Sequence, residues 1–333
     1  MAYQNVGTPR FYVDHGLWLY TLGVYTPEAD QIPFVQLNPS NVIVRSSTHV
    51  TVPRVSPINY IAFLGTRDST APIGYWPMWW DGTSYGSTAS GFTEIVNCNG
   101  YDQNPESYDG FSMATFDDNP TYTYTGGTIT GLSGAMDDSA KCGAISIGST
   151  YQMPHSPELN LTMTREMDGV KRVRTKGGAD LVNHKYIKPA MWGDAGAWEL
   201  YSGAPANQAL SRTGRRVWDL SFNYLQNNSV FAPTESQTSR IFDTSGYDDA
   251  DWYYSSSGDL QDHWHSHMRF LAHDDFYTQV IHKTAGGLRF IFQPDSNNNN
   301  PDQFAICKFD KKFQFKQVAN GVYNMKLKIR EVW

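Results

Sequence analysis

The chain has 333 residues, of which 14% are aromatic and 18% charged, with a formal net charge of -7 at pH 7. An acidic chain so rich in rings excludes a generally basic nucleic-acid binder, and its 40% hydrophobic content excludes wholesale disorder. No apolar run approaches the roughly 20 residues that a membrane span needs, and Met1-Ala2-Tyr3-Gln4-Asn5 lacks the basic-then-apolar start of a secretory signal.

Met1 to Pro39 contains Phe11, Tyr12, Val13, Leu17, Trp18, Leu19 and Tyr20, too apolar a set for a free tail. It reads as an arm that docks on a neighbouring subunit or as a strand added to the core. Short strands are predicted at Val42-Ile43-Val44 and Val50-Thr51-Val52. Asn59 to Gly65 is a continuous apolar run that suits a strand buried on both faces. Tyr122-Thr123-Tyr124 and Ala144 to Gly148 follow. Short strands at this spacing, separated by long polar and aromatic loops, predict a sandwich or jelly roll over residues 40–170. No internal repeat of fixed period is present.

Arg165, Lys171, Arg172, Arg174, Lys176 and Lys185 then cluster around Gly177-Gly178. The simpler reading is a solvated linker or edge strand over 171–215, where Lys and Arg discourage wrong pairing. The functional reading is a contact for an acidic partner.

From residue 216 the pattern is clearer. Trp218, Leu220 and Phe222 alternate with Asp219 and Ser221, which predicts a strand. Asp275 to Lys283 predicts a helix stopped by Gly286-Gly287. Phe290-Ile291-Phe292 and Gln303 to Phe309 predict strands, with the polar stretch Ser296 to Asp302 exposed between them. At the end, Phe313, Phe315 and Gln317 alternate up to Asn320-Gly321, a pair suited to a type I′ turn. The returning strand places Tyr323, Met325, Leu327 and Ile329 on a core face, with Asn324, Lys326, Lys328 and Arg330 on the other.

Motifs for chemistry are sparse. Phosphate-loop, dinucleotide and His-Glu-x-x-His patterns do not occur. Gly82-Thr83-Ser84-Tyr85-Gly86 has nucleophile-elbow spacing but falls where a turn-rich loop is expected, with no apolar strand expected before it and no helix after it. Alternation would put His263, His265 and His267 on one strand face, where imidazoles bind Zn²⁺ or Ni²⁺. A polar surface stretch, with the three rings facing water or a neighbouring subunit, is the favoured reading. Carboxylates such as Asp117, Asp118, Asp137, Asp138, Asp248, Asp249 and Asp251 fall where turns are expected, and no pair is nominated for catalysis. Trp76, Trp79, Trp80 and Tyr85 suit a sugar-stacking platform, although packing or a protein interface is the favoured use of such rings. Cys98, Cys142 and Cys307 are read as free, mostly buried thiols of a reducing compartment.

The order Arg215-Arg216-Val217-Trp218-Asp219-Leu220-Ser221-Phe222, Asp275-Phe276-Tyr277, Gly286-Gly287, Phe290-Ile291-Phe292-Gln293-Pro294, Phe304 to Cys307 and Ile329 to Trp333 resembles a known group. It is similar to the tail-tip and baseplate proteins of long-tailed bacteriophages, the lambda-like minor tail protein and distal tail protein group. Asn59 to Gly65, Ala144 to Glu166 and Arg174 to Leu181 resemble a jelly-roll module that accompanies such barrels in phage structural proteins. The resemblance covers residues 40–333 in scattered blocks, and the aromatic insertions between Thr66 and Asp118 lie outside its pattern.

It implies a mainly β chain: an N-terminal β-sandwich of the jelly-roll kind, then a C-terminal tail-tube-like β-barrel with one helix over 216–333. The expected role is a structural, non-enzymatic subunit without cofactors, made in the host cytoplasm and carried in the virion tail. Its expected partners are further copies in a ring, the tail tube and the hub or fibre proteins, with DNA passing through the lumen and no membrane insertion. Lys326, Lys328, Arg330, Arg172, Arg174 and Lys176 are the interface or lumen candidates. The alternatives are a virion module that binds a host receptor or surface glycan, and a head decoration or fibre-anchor protein.

Overall fold

A computed structural model describes residues 7–27, 47–53, 57–66, 73–80, 85–88, 93–96, 110–117, 124–131, 144–159, 162–166, 170–183, 191–192, 195–196, 215–231, 274–299, 303–310 and 313–332. These residues are mainly β, as the punctuated, helix-poor sequence implied. The strands are β1 Arg10–Asp14, β2 Ser47–Pro53, β3 Tyr60–Thr66, β4 Ile73–Trp80, β5 Tyr85–Thr88, β6 Thr93–Val96, β7 Gly110–Thr115, β8 Tyr124–Gly131, β9 Ala144–Gln152 and β10 Thr162–Glu166. They continue with β11 Lys171–Arg174, β12 Asp180–Asn183, β13 Met191–Trp192, β14 Ala195–Gly196, β15 Arg215–Gln226, β16 Phe290–Gln293, β17 Ala305–Phe309, β18 Gln314–Ala319 and β19 Val322–Glu331. Two short helices, α1 His15–Thr21 and α2 Asn227–Val230, and a π-helix at Tyr277–His282 complete the set.

One antiparallel sheet of 11 strands dominates. Its order is β10-β15-β19-β17-β16-β1-β9-β3-β7-β6, with β18 also on β19. β15 runs along one side of β19, while the other side is shared by β18 near Val322–Lys326 and β17 near Ile329–Glu331. No pairing among the described residues joins β10 to β6, so this sheet is open. A second sheet has the order β2-β8-β4-β5, and β11-β12 and β13-β14 are separate hairpins.

The N-terminal segment shows why its sequence reads as unbroken apolar. β1 sits between β16 and β9, a strand of its own chain's sheet. Both its faces are covered, so the strand needs no polar alternation. Phe11 and Val13 enter one core with Trp218, Leu220, Phe222, Tyr323, Met325, Leu327 and Ile329. Tyr12 enters another with Tyr60, Ala62, Leu64, Ile291 and Ile306. Phe11 is the hub of an aromatic group, with ring centroids 5.3–5.6 Å from Phe276, Phe290 and Phe292. Gly148 is dictated by the approach of β1, because a Cβ there would lie 1.9 Å from the Val13 carbonyl oxygen.

The C-terminal elements form where alternation placed them. β19 buries Tyr323, Met325, Leu327 and Ile329, while the residues between them are exposed or half-buried. The turn before it is not type I′, which needs two left-handed residues. Gly321 takes φ 68°, Asn320 does not share a positive φ, and a register shift lies between Gln317 and Ala319. The expected helix is present, with its middle wound as the π-helix, and it stops where Ala285 and Gly286 take φ 47° and 65°. Asn297 and Asn299 of the polar stretch after β16 are exposed. Val42-Ile43-Val44 lies outside the described residues.

Candidate functional site

Two of the three interface candidates on β19, Lys328 and Arg330, are engaged within their own chain. The Lys328 ammonium lies 3.6 Å from an Asp310 carboxylate oxygen. The Arg330 guanidinium pairs with Glu166 at the end of β10, and lies 3.9 Å from Asp310 just after β17. These contacts lace β10, β19 and β17 together across the sheet. Lys326 is exposed. A companion on β15 does similar work in a drier place. Arg216 donates to both Glu331 oxygens at 3.1 and 3.2 Å and to the Phe304 carbonyl at 2.7 Å, while its backbone N–H also reaches Glu331. Its guanidinium lies 5.3 Å from the Trp218 ring centroid, a cation–π spacing. The arginine ahead of the Trp-x-Leu-x-Phe run is thus the clamp between β15 and the end of β19.

The other basic candidates share one structural unit. Arg172 and Arg174 lie on β11, which pairs only with β12 among the described residues, and Lys176 lies in the turn between them. The turn is held by Thr175, whose Oγ1 accepts from the Ala179 N–H at 3.0 Å, and by Gly178 at φ 85°. All eight strand residues of this hairpin are exposed, including Val173, Leu181 and Val182 at 47%, 60% and 39%. The register sets Val173 opposite Leu181 and Arg172 opposite Val182. Hence one face presents Lys171, Val173, Leu181 and Asn183, and the other presents Arg172, Arg174, Asp180 and Val182.

The aromatic candidates lie in the second sheet. β4 carries Trp76, Trp79 and Trp80, and its backbone register sets Trp80 opposite Tyr85 on β5 and opposite Tyr124 on β8. His263, His265 and His267 lie outside the described residues, as do Cys98, Cys142, Asp118, Asp137, Asp138, Asp248, Asp249 and Asp251. Cys307 is a buried free thiol. Among the described residues, no group of three or more His, Cys, Asp or Glu side chains is placed to hold a metal ion.

Sequence reasoning did not foresee a polar cluster in the core where α1, β9 and the π-helix meet. His15 and Ser149 are buried, and His15 Nε2 lies 3.0 Å from Ser149 Oγ. The Lys283 ammonium, also buried, donates to Gln279 Oε1 at 2.6 Å and to Ser149 Oγ at 3.3 Å. Asp14 caps α1 by accepting from the Leu17 N–H at 2.9 Å. Beside it, Tyr60 and Ser146 share a hydrogen bond of 2.8 Å.

Burial sets the protonation of this cluster. It lifts the Asp14 carboxyl to about 7, against hydrogen bonds from Leu17, Ser146 and Gly16. It lowers the Lys283 ammonium to about 7, against the attraction of Asp274 and Asp275. Burial and then the charge of Lys283 push His15 well below the ordinary histidine value. A hydroxyl 3.0 Å from an imidazole has the spacing of a nucleophile and its base. Here His15, Ser149 and Lys283 are 0%, 2% and 0% exposed, so no substrate meets them in this conformation. What the cluster does is join three elements through buried polar contacts, with His15 Nδ1 and Asp14 Oδ2 left without a hydrogen-bond partner among the described residues. The one sequence signal was Lys283 itself, a cation that follows Val280, Ile281 and His282 at the end of the expected helix.

No family model, curated protein or solved structure matches the chain.

Proposed function

We propose that this protein is a phage virion structural protein, a ring-forming subunit of the tail tip or baseplate that continues the tail tube and anchors neighbouring tail proteins. The observation that carries the reading is the succession from β15 to β19. An arginine-led Trp-x-Leu-x-Phe strand, a helix, a Gly-Gly stop, the Phe290–Gln293 strand, a central strand and a closing antiparallel strand follow in the order that the resemblance implies. In this reading the C-terminal set completes a tail-tube-like barrel within the assembled ring, and the first half supplies a jelly-roll-like module. Open sheet edges and a hairpin with apolar and basic residues in solvent suit a chain whose work is making contacts.

The test is direct. Antibodies against the purified chain are applied to particles from the source material and viewed by gold labelling. Label at the distal end of tails is expected. Label on heads, or on no particle that contains the chain by mass spectrometry, overturns the assignment.

A further inference from the structure

The buried cluster holds the parts of a reaction together with its own substrate. Ser149 shares a face of β9 with Ile145, Ile147 and Tyr151, all 5% exposed or less, so a small hydroxyl there contributes little as packing. Its Oγ has three polar neighbours: His15 Nε2 at 3.0 Å, the Lys283 ammonium at 3.3 Å and Gln279 Oε1 at 3.4 Å. An ammonium can only donate. Lys283 therefore occupies a lone pair of the hydroxyl and turns the oxygen of the Gln279 amide, rather than its nitrogen, toward itself at 2.6 Å. The hydroxyl proton is left for the nearer acceptor, His15 Nε2. Burial and the charge of Lys283 keep that imidazole neutral, with a lone pair to receive it.

A nucleophile, its base and a cation on the oxygen where negative charge develops are what an acyl transfer needs. The acyl group is also in place, because the Gln279 side chain, 3% exposed, lies against the hydroxyl. Burial bars a substrate from outside but not one that the fold has already enclosed. Gln279 also stands on the π-helix, a winding that is often found at functional positions.

We infer that Ser149 and Gln279 join in an intramolecular ester that staples β9 to the π-helix. Ser149 Oγ adds to Gln279 Cδ while its proton passes to His15 Nε2. The Lys283 ammonium holds the negative charge that forms on Oε1. His15 then gives the proton to the amide nitrogen, the Cδ–Nε2 bond breaks and ammonia leaves, with the Oγ–Cδ bond remaining. An alcohol and a primary amide thus become an ester and ammonia, with no change of oxidation state. Ammonia that escapes takes up a proton from water, and the dry site protects the ester from hydrolysis. The link closes a loop across 130 positions of chain. Such a closure restrains the unfolded chain as a disulfide does, without using cysteine.

The experiment is the intact mass of the full chain, purified at neutral pH and unfolded for measurement, followed by protease mapping. A mass short of the sequence by one ammonia is expected, with the peptides that hold Ser149 and Gln279 found joined. Hydroxylamine, which cleaves esters and spares amides, should separate them and leave a hydroxamate at residue 279. S149A should show the full sequence mass. K283M, sampled from induction onward, should accumulate the link about a hundredfold more slowly, as for loss of one oxyanion donor. Wild-type chain at full mass overturns the inference, whether or not either variant folds. So does ammonia lost from S149A, or K283M that links at the wild-type rate. A hydroxylamine-resistant link between Gln279 and Lys283 also overturns it, because the lysine would then be the nucleophile. The ester does not depend on the tail assignment, and none of these results alters the gold-labelling test.

Discussion

The chain builds two hairpins from similar parts and uses them in opposite ways. β18–β19 and β11–β12 are both antiparallel, both rich in Lys and Arg, and both turn on a glycine at positive φ, Gly321 and Gly178. Yet β19 buries every second side chain, and β11–β12 buries none. The difference lies in what alternates. In β19 Asn324, Lys326 and Lys328 are each followed by Met325, Leu327 or Ile329, so the face from Tyr323 to Ile329 is wholly apolar. In β11–β12 the apolar residues fall on both faces, Val173 and Leu181 on one and Val182 on the other, so neither face repays burial in the chain's own core.

The sharpest way to break the comparison is to cut the anchor of β19. Glu331→Ala leaves the mostly buried Arg216 guanidinium and N–H without their carboxylate, and a loss of about 3–5 kcal/mol is expected in urea unfolding. Replacing both residues, as R216M/E331L, should recover much of that loss, which would show that the penalty comes from the stranded charge.

A pH series on the polar cluster comes next. The folded Asp14 pKa, about 7, lies above its unfolded value of 3.8, so the native state holds a proton that the unfolded chain releases between these values. Stability from this group is therefore present below about pH 4 and falls as pH rises to about 7. Asp14→Asn keeps a good cap and removes the titration, so at pH 8 the variant should gain up to about 4 kcal/mol relative to its difference from wild type at pH 4. Lys283 acts with the opposite slope. Its folded value, about 7, lies below the unfolded 10.5, so stability rises with pH across that window. In Lys283→Met that alkaline rise should vanish. His15, lowered as well, opposes Asp14 on the acid side, so each group is read from its own variant.

Smaller effects finish the series. Tyr224 sits at φ 60° in the β15 bulge, 77% exposed, with its N–H on the Asn324 side chain at 3.2 Å. Tyr224→Gly relieves the left-handed strain and should raise stability by about 1 kcal/mol, seen as a higher Tm. V173S/L181S in the exposed hairpin should change the stability of isolated chain by less than about 0.5 kcal/mol. A larger loss would mean that the hairpin has a hidden intrachain partner.

Where burial follows local alternation, the sequence was sufficient. The faces of β15 and β19, the helix at 277–282 and its glycine stop were all legible from spacing alone. The type I′ assignment for Asn320-Gly321 missed the single left-handed residue, because the bulge at Val318 shifts the register on one strand only. The place of β1 between β9 and β16 was not legible, since Phe11-Tyr12-Val13 announces burial on two faces but not by which strands. The cluster of His15, Ser149, Gln279 and Lys283 was hidden for the same reason: apart from Gln279 and Lys283, one helical turn apart, its members meet through pairings that span more than a hundred positions.

The position of β1 also fixes when this protein can fold. Tyr12 donates its hydroxyl to Gln293 at 2.8 Å across 281 positions of chain. At about 5–20 residues per second, a ribosome releases β16 roughly 15–55 s after β1. Through that interval Phe11, Tyr12 and Val13 have no C-terminal strand to lie against, and the aromatic hub cannot assemble. The sheet is consequently a post-synthetic structure. Chains cut short before residue 290 should stay unfinished and prone to aggregate, however well their other strands pair.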